Sequence, residues 1–144
     1  MEKINVGEMY LKILNGEEIL WNEITENYEI DDQFIEEFNN KLDWYNLCRY
    51  QKLSEKIIDK YFDKIEWICF SIYQKLDLEI IEKYKDKICW YWIIANNKYS
   101  EDFLWKYREY IPTSINIISR FQNVSKDFIN NFEKWGEQNG IIMH

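Results

Sequence analysis

Apolar side chains recur along this chain with a constant period of about 23 residues. The period is clearest in four tryptophans: Trp21, Trp44, Trp67 and Trp90. Two adjoining stretches, LSEKIIDKYFDKIEWICFSIYQK from Leu53 and LDLEIIEKYKDKICWYWIIANNK from Leu76, repeat nearly the same pattern. A constant period of about 20 to 50 residues indicates supersecondary units that stack on one another. The pattern therefore predicts a repeat architecture.

Each unit is predicted to contain two short helices. The first helix begins at a serine or aspartate that can cap it: Asp31, Ser54, Asp77, Ser100 and Ser125. An apolar residue just before each cap and another five positions later have the spacing of a hydrophobic staple. The second helix begins at a tryptophan, as in the inward-facing set Trp44, Leu47 and Cys48. Helices of about nine or ten residues are marginal alone in water, so each pair needs neighbouring copies to bury its apolar face.

We therefore predict an all-α fold, a solenoid-like stack of short helix pairs in one domain, residues 1–144. The predicted parts are an N-terminal cap at 1–29, repeats at 30–52, 53–75, 76–98 and 99–123, and a C-terminal cap at 124–144. The period lengthens by two residues around Pro112–Thr113, and Ile115 replaces the expected tryptophan. Because proline cannot continue a helix interior, we predict a longer connection there.

Composition favours a chain that stays in the cytoplasm. The three cysteines lack paired close spacing, so neither a disulfide framework nor a zinc site is indicated. The first residues lack a basic segment followed by an apolar stretch, and no apolar run approaches the length of a membrane span. We expect no membrane association.

The sequence offers little catalytic chemistry. The one histidine is His144, and no glycine-rich phosphate loop or calcium loop is present. Carboxylate pairs such as Glu55 with Asp59 lie four residues apart, which is typical of an exposed helix face. The cysteines fall at three different repeat positions and are interpreted as small buried side chains: Cys48, Cys69 and Cys89. We predict no enzyme activity, no cofactor and no metal site.

The acidic charge is confined to the first third of the chain. Residues 1–44 contain 12 acidic residues and three lysines, a net charge of −9, against −8 for the whole protein. Such a segment repels nucleic acid and attracts a basic protein surface. The candidate partner-binding residues are Glu17, Glu18, Asp31, Asp32, Glu36 and Glu37. A lysine ladder at Lys60, Lys83 and Lys106 has acids beside it, which argues against direct nucleic-acid binding.

A second, weaker candidate is aromatic. In the stretch CWYWII, Trp90 can face inward while Tyr91 and Trp92 face elsewhere, and Tyr45 is the counterpart of Tyr91 two periods earlier. These side chains either pack between successive units or offer aromatic anchors to a partner. Both interpretations stay open at this level.

The repeat pattern also has a family resemblance. The motif L-[SD]-x-x-[FI]-I-x-K-[YF]-x-D-K-[IL]-[DE]-W, followed by Y-Q-K-L-S, covers about residues 30–132. It resembles short degenerate two-helix repeats, with a period of about 23 residues, in proteins of bacteriophages and large DNA viruses, which are mostly uncharacterised. The resemblance implies a helical array and a viral origin, and a viral protein of this kind is expected in the cytoplasm of the host cell. By analogy with small acidic phage proteins, it suggests an anti-defence protein of the anti-CRISPR kind.

Taken together, these features predict a non-enzymatic protein-binding module. Its sharper form is a phage inhibitor that blocks a nucleic-acid-binding or nuclease defence complex through its acidic surface. The alternative is a structural or oligomeric helical-repeat scaffold or adaptor that associates with itself.

Overall fold

The computed structural model describes residues 1–111 and 115–141 and is predominantly helical, which confirms the predicted helical class. Its helices are α1 Val6–Leu14, α2 Trp21–Asn27, α3 Asp32–Phe38, α4 Trp44–Tyr50, α5 Glu55–Lys60, α6 Trp67–Tyr73, α7 Leu78–Lys83, α8 Trp90–Asn96, α9 Glu101–Lys106, α10 Ile115–Phe121 and α11 Lys126–Gln138. A 3-10 turn follows α5 at Phe62–Lys64. Two short strands, β1 Glu2–Lys3 and β2 Tyr28–Glu29, pair in parallel. Most helices have six or seven residues, fewer than the sequence pattern predicted.

The chain forms two compact units, Met1–Ile80 and Ile81–His144. In the first unit four helices contact the helix two places further along: α1 with α3, α3 with α5, α2 with α4 and α4 with α6. In the second unit α10 contacts both α8 and α11. Alternate helices of the first unit therefore pack side by side. The predicted repeat and cap boundaries stay predictions.

The predicted starts of the first helices are confirmed, and in each of them the cap residue is a serine or an aspartate. Each of five side chains accepts a hydrogen bond from the backbone N–H three residues later: Asp31, Ser54, Asp77, Ser100 and Ser125. Among the second helices, Asp43 caps α4 in the same way, whereas Glu66 and Cys89 make no capping bond. The predicted connection at Pro112–Thr113 lies outside the described residues, as do His144 and the side chain of Ile115.

Three of the four regularly spaced tryptophans have similar surroundings. In three cases an aromatic ring at or just after the end of the next helix lies against the indole, with centroids 5.0 to 5.2 Å apart: Trp21 with Phe38, Trp44 with Tyr61 and Trp90 with Tyr107. The indole N–H groups of Trp44 and Trp90 each donate to the backbone carbonyl five residues earlier. At these three positions the tryptophan interval therefore marks an equivalent packing arrangement.

A set of hydrogen bonds between a glutamine side chain and the backbone also recurs along the chain, and the sequence pattern did not predict it. The buried Gln51 amide donates to the carbonyls of Thr25 and Tyr28 at 2.5 and 2.7 Å, and its oxygen accepts from the N–H of Ile30 at 3.2 Å. Carbonyls at the end of a helix lack a partner within that helix. The side chain after α4 therefore completes the hydrogen bonding where α2 ends.

Two further glutamines repeat this arrangement. Gln74 bonds the carbonyls of Cys48 and Gln51 and the N–H of Leu53, and Gln122 bonds the carbonyls of Ile94 and Asn97 and the N–H of Tyr99. Asn97 stands one period after Gln74, and its shorter amide donates to Ile93 of its own helix. We refer to Gln51, Gln74 and Gln122 as the bridging glutamines.

Each unit has its own apolar core. In the first unit the fully buried side chains include Met9, Phe34, Ile35, Leu47, Ile57 and Phe70. In the second they include Ile81, Ile93, Ile94, Leu104, Ile111 and Phe132. The inward-facing positions predicted for the second helices, such as Leu47 and Cys48, are confirmed as buried.

Candidate functional site

Five of the six predicted acidic residues already bind groups of their own chain, three of them through hydrogen bonds from backbone or hydroxyl groups. Asp31 caps α3, and Asp32 accepts a hydrogen bond from the hydroxyl of Ser54 at 2.7 Å. Glu37 accepts a hydrogen bond from the hydroxyl of Tyr10, which raises the tyrosine pKa. These three carboxylates therefore have roles in the fold, and neutralising them would alter local structure as well as surface charge.

Glu36 is the most strongly paired of the six. Its carboxylate lies 2.7 Å from Lys56 Nζ and 2.9 Å from Lys60 Nζ. Hydrogen bonds from Lys56 and Lys60 lower the pKa of Glu36 to about 2. The residue two periods later, Glu82, receives hydrogen bonds from Lys85, Tyr107 and Lys106, and its pKa is also lowered to about 2. Lys60 and Lys106 of the predicted lysine ladder are thus paired with carboxylates.

These two carboxylates predict a loss of stability in acid. A carboxyl whose pKa is lower in the folded state stabilises the fold above its unfolded pKa of about 4.3, and this contribution disappears as the pH falls through the folded pKa. We expect the free energy of unfolding, measured by urea titration, to fall between about pH 4.5 and about pH 2. Glu36→Gln and Glu82→Gln should each flatten this fall, whereas Glu109→Gln, at an exposed position, should not. Identical acid profiles for all three variants would contradict the prediction.

Glu17 and Glu18 are placed differently. They follow α1, at a turn where Gly16 adopts a φ of 71°. Both line a groove of about 380 Å³ together with Glu23 and Leu20, and we call it the acidic groove. Glu17 forms an exposed ion pair of 3.1 Å with Lys12. An exposed pair of this kind contributes little to stability, so these carboxylates are available to a partner.

An exposed apolar surface adjoins this groove in sequence, and the sequence pattern did not predict it. Four large apolar side chains of α1 are exposed: Tyr10, Leu11, Ile13 and Leu14. At 3.6 residues per turn they fall within an arc of about 160°, so they share one face of the helix. Met9, which lies outside this arc, is fully buried. We call the four the N-terminal apolar face. The sequence pattern predicted an N-terminal cap over residues 1–29, with no indication that these side chains face solvent.

The predicted aromatic residues are partly accessible. Tyr45 and Tyr91 are exposed, and Trp92 is half-buried with its ring edge-on to Tyr91 at 5.1 Å. Ile68, the counterpart of Tyr45 in the next repeat, is also exposed on α6, which contacts α4. Tyr45 and Ile68 therefore give the first unit a second, smaller set of exposed apolar side chains.

The expectation that the cysteines are small buried side chains is confirmed for two of the three. Cys48 and Cys69 are buried, and Cys89 is half-buried. Burial raises the pKa of Cys48 to about 12 and also raises the pKa of Cys69. The thiolate is the reactive form, so these two thiols should be inert in the folded protein.

Thiol labelling tests this arrangement. We expect Ellman's reagent at about pH 8 to titrate one thiol of the native protein, Cys89, and the other two only in denaturant. Cys89→Ser should abolish the native reaction. Three thiols reacting at equal rates in the native state would show that Cys48 and Cys69 are not protected.

The described residues contain neither a helix that could span a membrane nor a cluster of metal-binding side chains. None of the helices in residues 1–111 and 115–141 combines the length and apolar character needed to cross a bilayer. Over the same ranges, no group of three or more histidine, cysteine, aspartate or glutamate side chains is arranged to hold a metal ion.

Comparison of the chain with protein-family models, curated proteins and solved structures finds no match. The resemblance to viral two-helix repeats stays a prediction.

Proposed function

We propose that this protein is a non-enzymatic protein-binding module that binds its partner through the N-terminal apolar face and the acidic groove. The observation that carries the proposal is the exposure of four large apolar side chains on one face of α1. Contiguous apolar surface rimmed by polar groups is typical of protein interaction sites. Leu14, at 80% exposure, is the most accessible apolar residue of this face.

We further propose that the helix pairs stack as a solenoid. The bridging glutamines support this, because each binds backbone groups of the helix pair that precedes it along the chain. In a stacked array the terminal unit usually presents a polar outer face to water. An apolar outer face on α1 departs from that pattern, which favours a terminal unit that is covered by a partner.

Charge favours a basic partner. Glu17, Glu18 and Glu23 in the acidic groove outnumber the one lysine that lines it, Lys12. Two copies meeting at this surface would bring like charges together, so self-association is disfavoured. Nucleic acid would be repelled for the same reason. The sharper proposal is that the partner's basic site itself binds nucleic acid, as in a nuclease of a host defence system, and that this protein occupies it.

The apolar contribution is tested by a double substitution, Leu11→Ser with Leu14→Ser. A lysate of the natural host supplies the partner for capture, and the affinity of the captured partner is then measured by biolayer interferometry. The matched control is Ile68→Ser with Leu78→Ser, because those side chains are 64% and 62% exposed elsewhere in the same unit. We expect only the first variant to lose binding, by about tenfold or more. Equal binding by both variants would rule out the N-terminal apolar face.

The charge contribution is tested by neutralising Glu17, Glu18 and Glu23 to glutamine, leaving the structurally engaged acids intact. We expect slower association with little change in dissociation, and raised salt should reproduce the effect on the unsubstituted protein. The charge-matched control neutralises three exposed acids outside the groove: Glu79, Asp86 and Glu109.

A double-stranded oligonucleotide should compete with this protein for the captured partner. A concentration-dependent dimer that the apolar double substitution abolishes would instead support the scaffold alternative.

A further inference from the structure

A second groove, of about 460 Å³, lies in the unit 81–144, between α9 and α11. Its lining combines aromatic rings with charged side chains: Trp105, Phe128 and Trp135 with Glu101, Asp102, Asp127 and Lys134. We call it the α9–α11 groove. None of these residues belongs to the N-terminal apolar face or to the acidic groove.

The aromatic part of the α9–α11 groove is accessible to a ligand. Trp105 is 37% exposed and is the one tryptophan among the exposed large hydrophobic residues of the described ranges. Its ring meets the buried Phe128 ring edge-on at 6.4 Å. Trp135 packs on Phe132 at 5.6 Å, which fixes the position of that indole against the core. Concave sites with accessible aromatic rings and a few polar groups are typical ligand-binding surfaces.

The charged part favours a cation. Three carboxylates and one ammonium group line the groove, a net charge of −2. Glu101 accepts a hydrogen bond from the N–H of Ser125 at 2.6 Å, which fixes that carboxylate at the start of α11. Asp102 and Asp127 are exposed. An anionic ligand, including a nucleic acid, would be repelled by this set.

The protein already pairs these indoles with a guanidinium group. Arg108 lies with its Cζ 4.7 Å from the ring centroid of Trp105 and 5.5 Å from that of Trp135, and it donates to the carbonyl of Trp105 at 2.7 Å. Arg108 itself does not line the groove. A guanidinium stacks on an indole and also binds carboxylates through two parallel N–H groups, which an ammonium group cannot do. Arginine therefore fits the combination of rings and carboxylates better than lysine.

We propose that the α9–α11 groove binds an arginine side chain from an extended segment of a partner protein. The guanidinium stacks on Trp105 and forms ion pairs with the carboxylates at the rim of the groove. This is an interaction surface beyond the one proposed for the N-terminal apolar face, and it uses different residues. Each surface can therefore be abolished without the other.

The test uses an acetylated and amidated peptide that alternates arginine with alanine, labelled with rhodamine and followed by fluorescence anisotropy with the full chain. A citrulline version has the same shape without the charge, and a lysine version has the charge without the planar stack. We expect binding to weaken in the order arginine, lysine, citrulline, with about tenfold between the first and the last. Equal binding of the arginine and citrulline peptides would overturn the proposal.

Substitutions locate the binding. Trp105→Ala and, separately, Asp102→Asn with Asp127→Asn should each weaken binding of the arginine peptide by about tenfold. The second variant leaves the aromatic packing intact, so it remains informative if Trp105→Ala unfolds the unit. The aromatic control is Tyr91→Ala, whose side chain is 36% exposed, and the charge control is Glu109→Gln. Equal losses in the controls would mean non-specific attraction and would overturn the proposal.

Two further arms distinguish this groove from the N-terminal apolar face and from a nucleic-acid site. Leu11→Ser with Leu14→Ser should leave peptide binding unchanged, and a loss equal to that of Trp105→Ala would overturn the assignment to the groove. A single-stranded RNA oligonucleotide should not bind. RNA binding that is lost in Trp105→Ala would mean that the groove receives a base instead of a guanidinium.

Discussion

Replacing Gln51 by leucine is expected to lower the free energy of unfolding by about 3 kcal/mol, although the side chain changes little in size. The substitution removes the two hydrogen bonds to the carbonyls of Thr25 and Tyr28 and the one from the N–H of Ile30. Gln51 is only 4% exposed, so water cannot replace these bonds without opening the structure. A buried backbone group left without a partner costs about 1 to 3 kcal/mol.

The control is Gln33→Leu, at an exposed position of α3. That change should alter the free energy of unfolding by no more than about 0.5 kcal/mol. Urea titration followed by circular dichroism gives both values under the same conditions. If the two variants differ by less than about 0.5 kcal/mol, the bridging glutamines do not hold the structure together.

Gln51→Glu adds a test with a defined pH dependence. A carboxylate at this position would face two carbonyl oxygens in a buried site, so its pKa in the folded state would be raised above the unfolded value of about 4.3. The variant should therefore be closest to the unsubstituted protein below about pH 4 and lose stability as the pH rises toward neutrality. Gln33→Glu should show no such trend. The opposite sign would mean that the carboxylate finds a cationic partner.

The local signals in the sequence were sufficient to predict the helix starts. Asp31 and Ser54 cap their helices because a side-chain oxygen and the N–H three residues later are close neighbours along the chain, so their pairing requires no tertiary information. The tryptophan interval was informative for a similar reason, since equal spacing gives equivalent positions in alternate helices, as for Trp21 in α2 and Trp44 in α4. Trp21 and Trp44 accordingly meet aromatic rings at nearly the same distance.

The bridging glutamines could not be identified from composition or periodicity. Glutamine is usually an exposed residue, and Gln51 follows the last turn of its helix, where a polar side chain is expected. Its partners lie 21 to 26 residues earlier in the chain. The one signal in the sequence was spacing, because Gln74 stands one period after Gln51. In the structure Gln74 makes the equivalent set of bonds.

At the candidate sites, ion pairing and side-chain burial could not be predicted from net charge or from the periodic pattern. The net charge of the first third does not show which of its carboxylates are paired. Glu36 on α3 forms ion pairs with two lysines of α5, whereas Glu18 is exposed to solvent. Periodicity shows that Leu11 and Leu14 share a helix face, but it cannot show whether another element covers that face. Burial depends on tertiary contacts, and the structure leaves both leucines exposed.

Trp90→Ala is expected to lower the free energy of unfolding by about 4 kcal/mol, the largest effect of a single substitution that we predict. The indole is 6% exposed and has three aromatic neighbours, with ring centroids at 5.0 Å to Tyr107, 5.7 Å to Tyr110 and 6.3 Å to Phe103. Its N–H donates to the carbonyl of Lys85 at 2.8 Å. Truncation would leave a cavity that these rings cannot fill and a carbonyl without a donor.

The matched control is Trp105→Ala in the same unit, where the indole is 37% exposed and less area returns to water. We expect that variant to lose about 1 to 2 kcal/mol, at least about 2 kcal/mol less than Trp90→Ala. Trp90→Phe should recover part of the loss, because it restores ring packing but not the hydrogen bond to Lys85. Equal losses at the two tryptophans would mean that position 90 is not a packing centre. The tryptophan interval would then not mark the positions on which the stability of this unit depends.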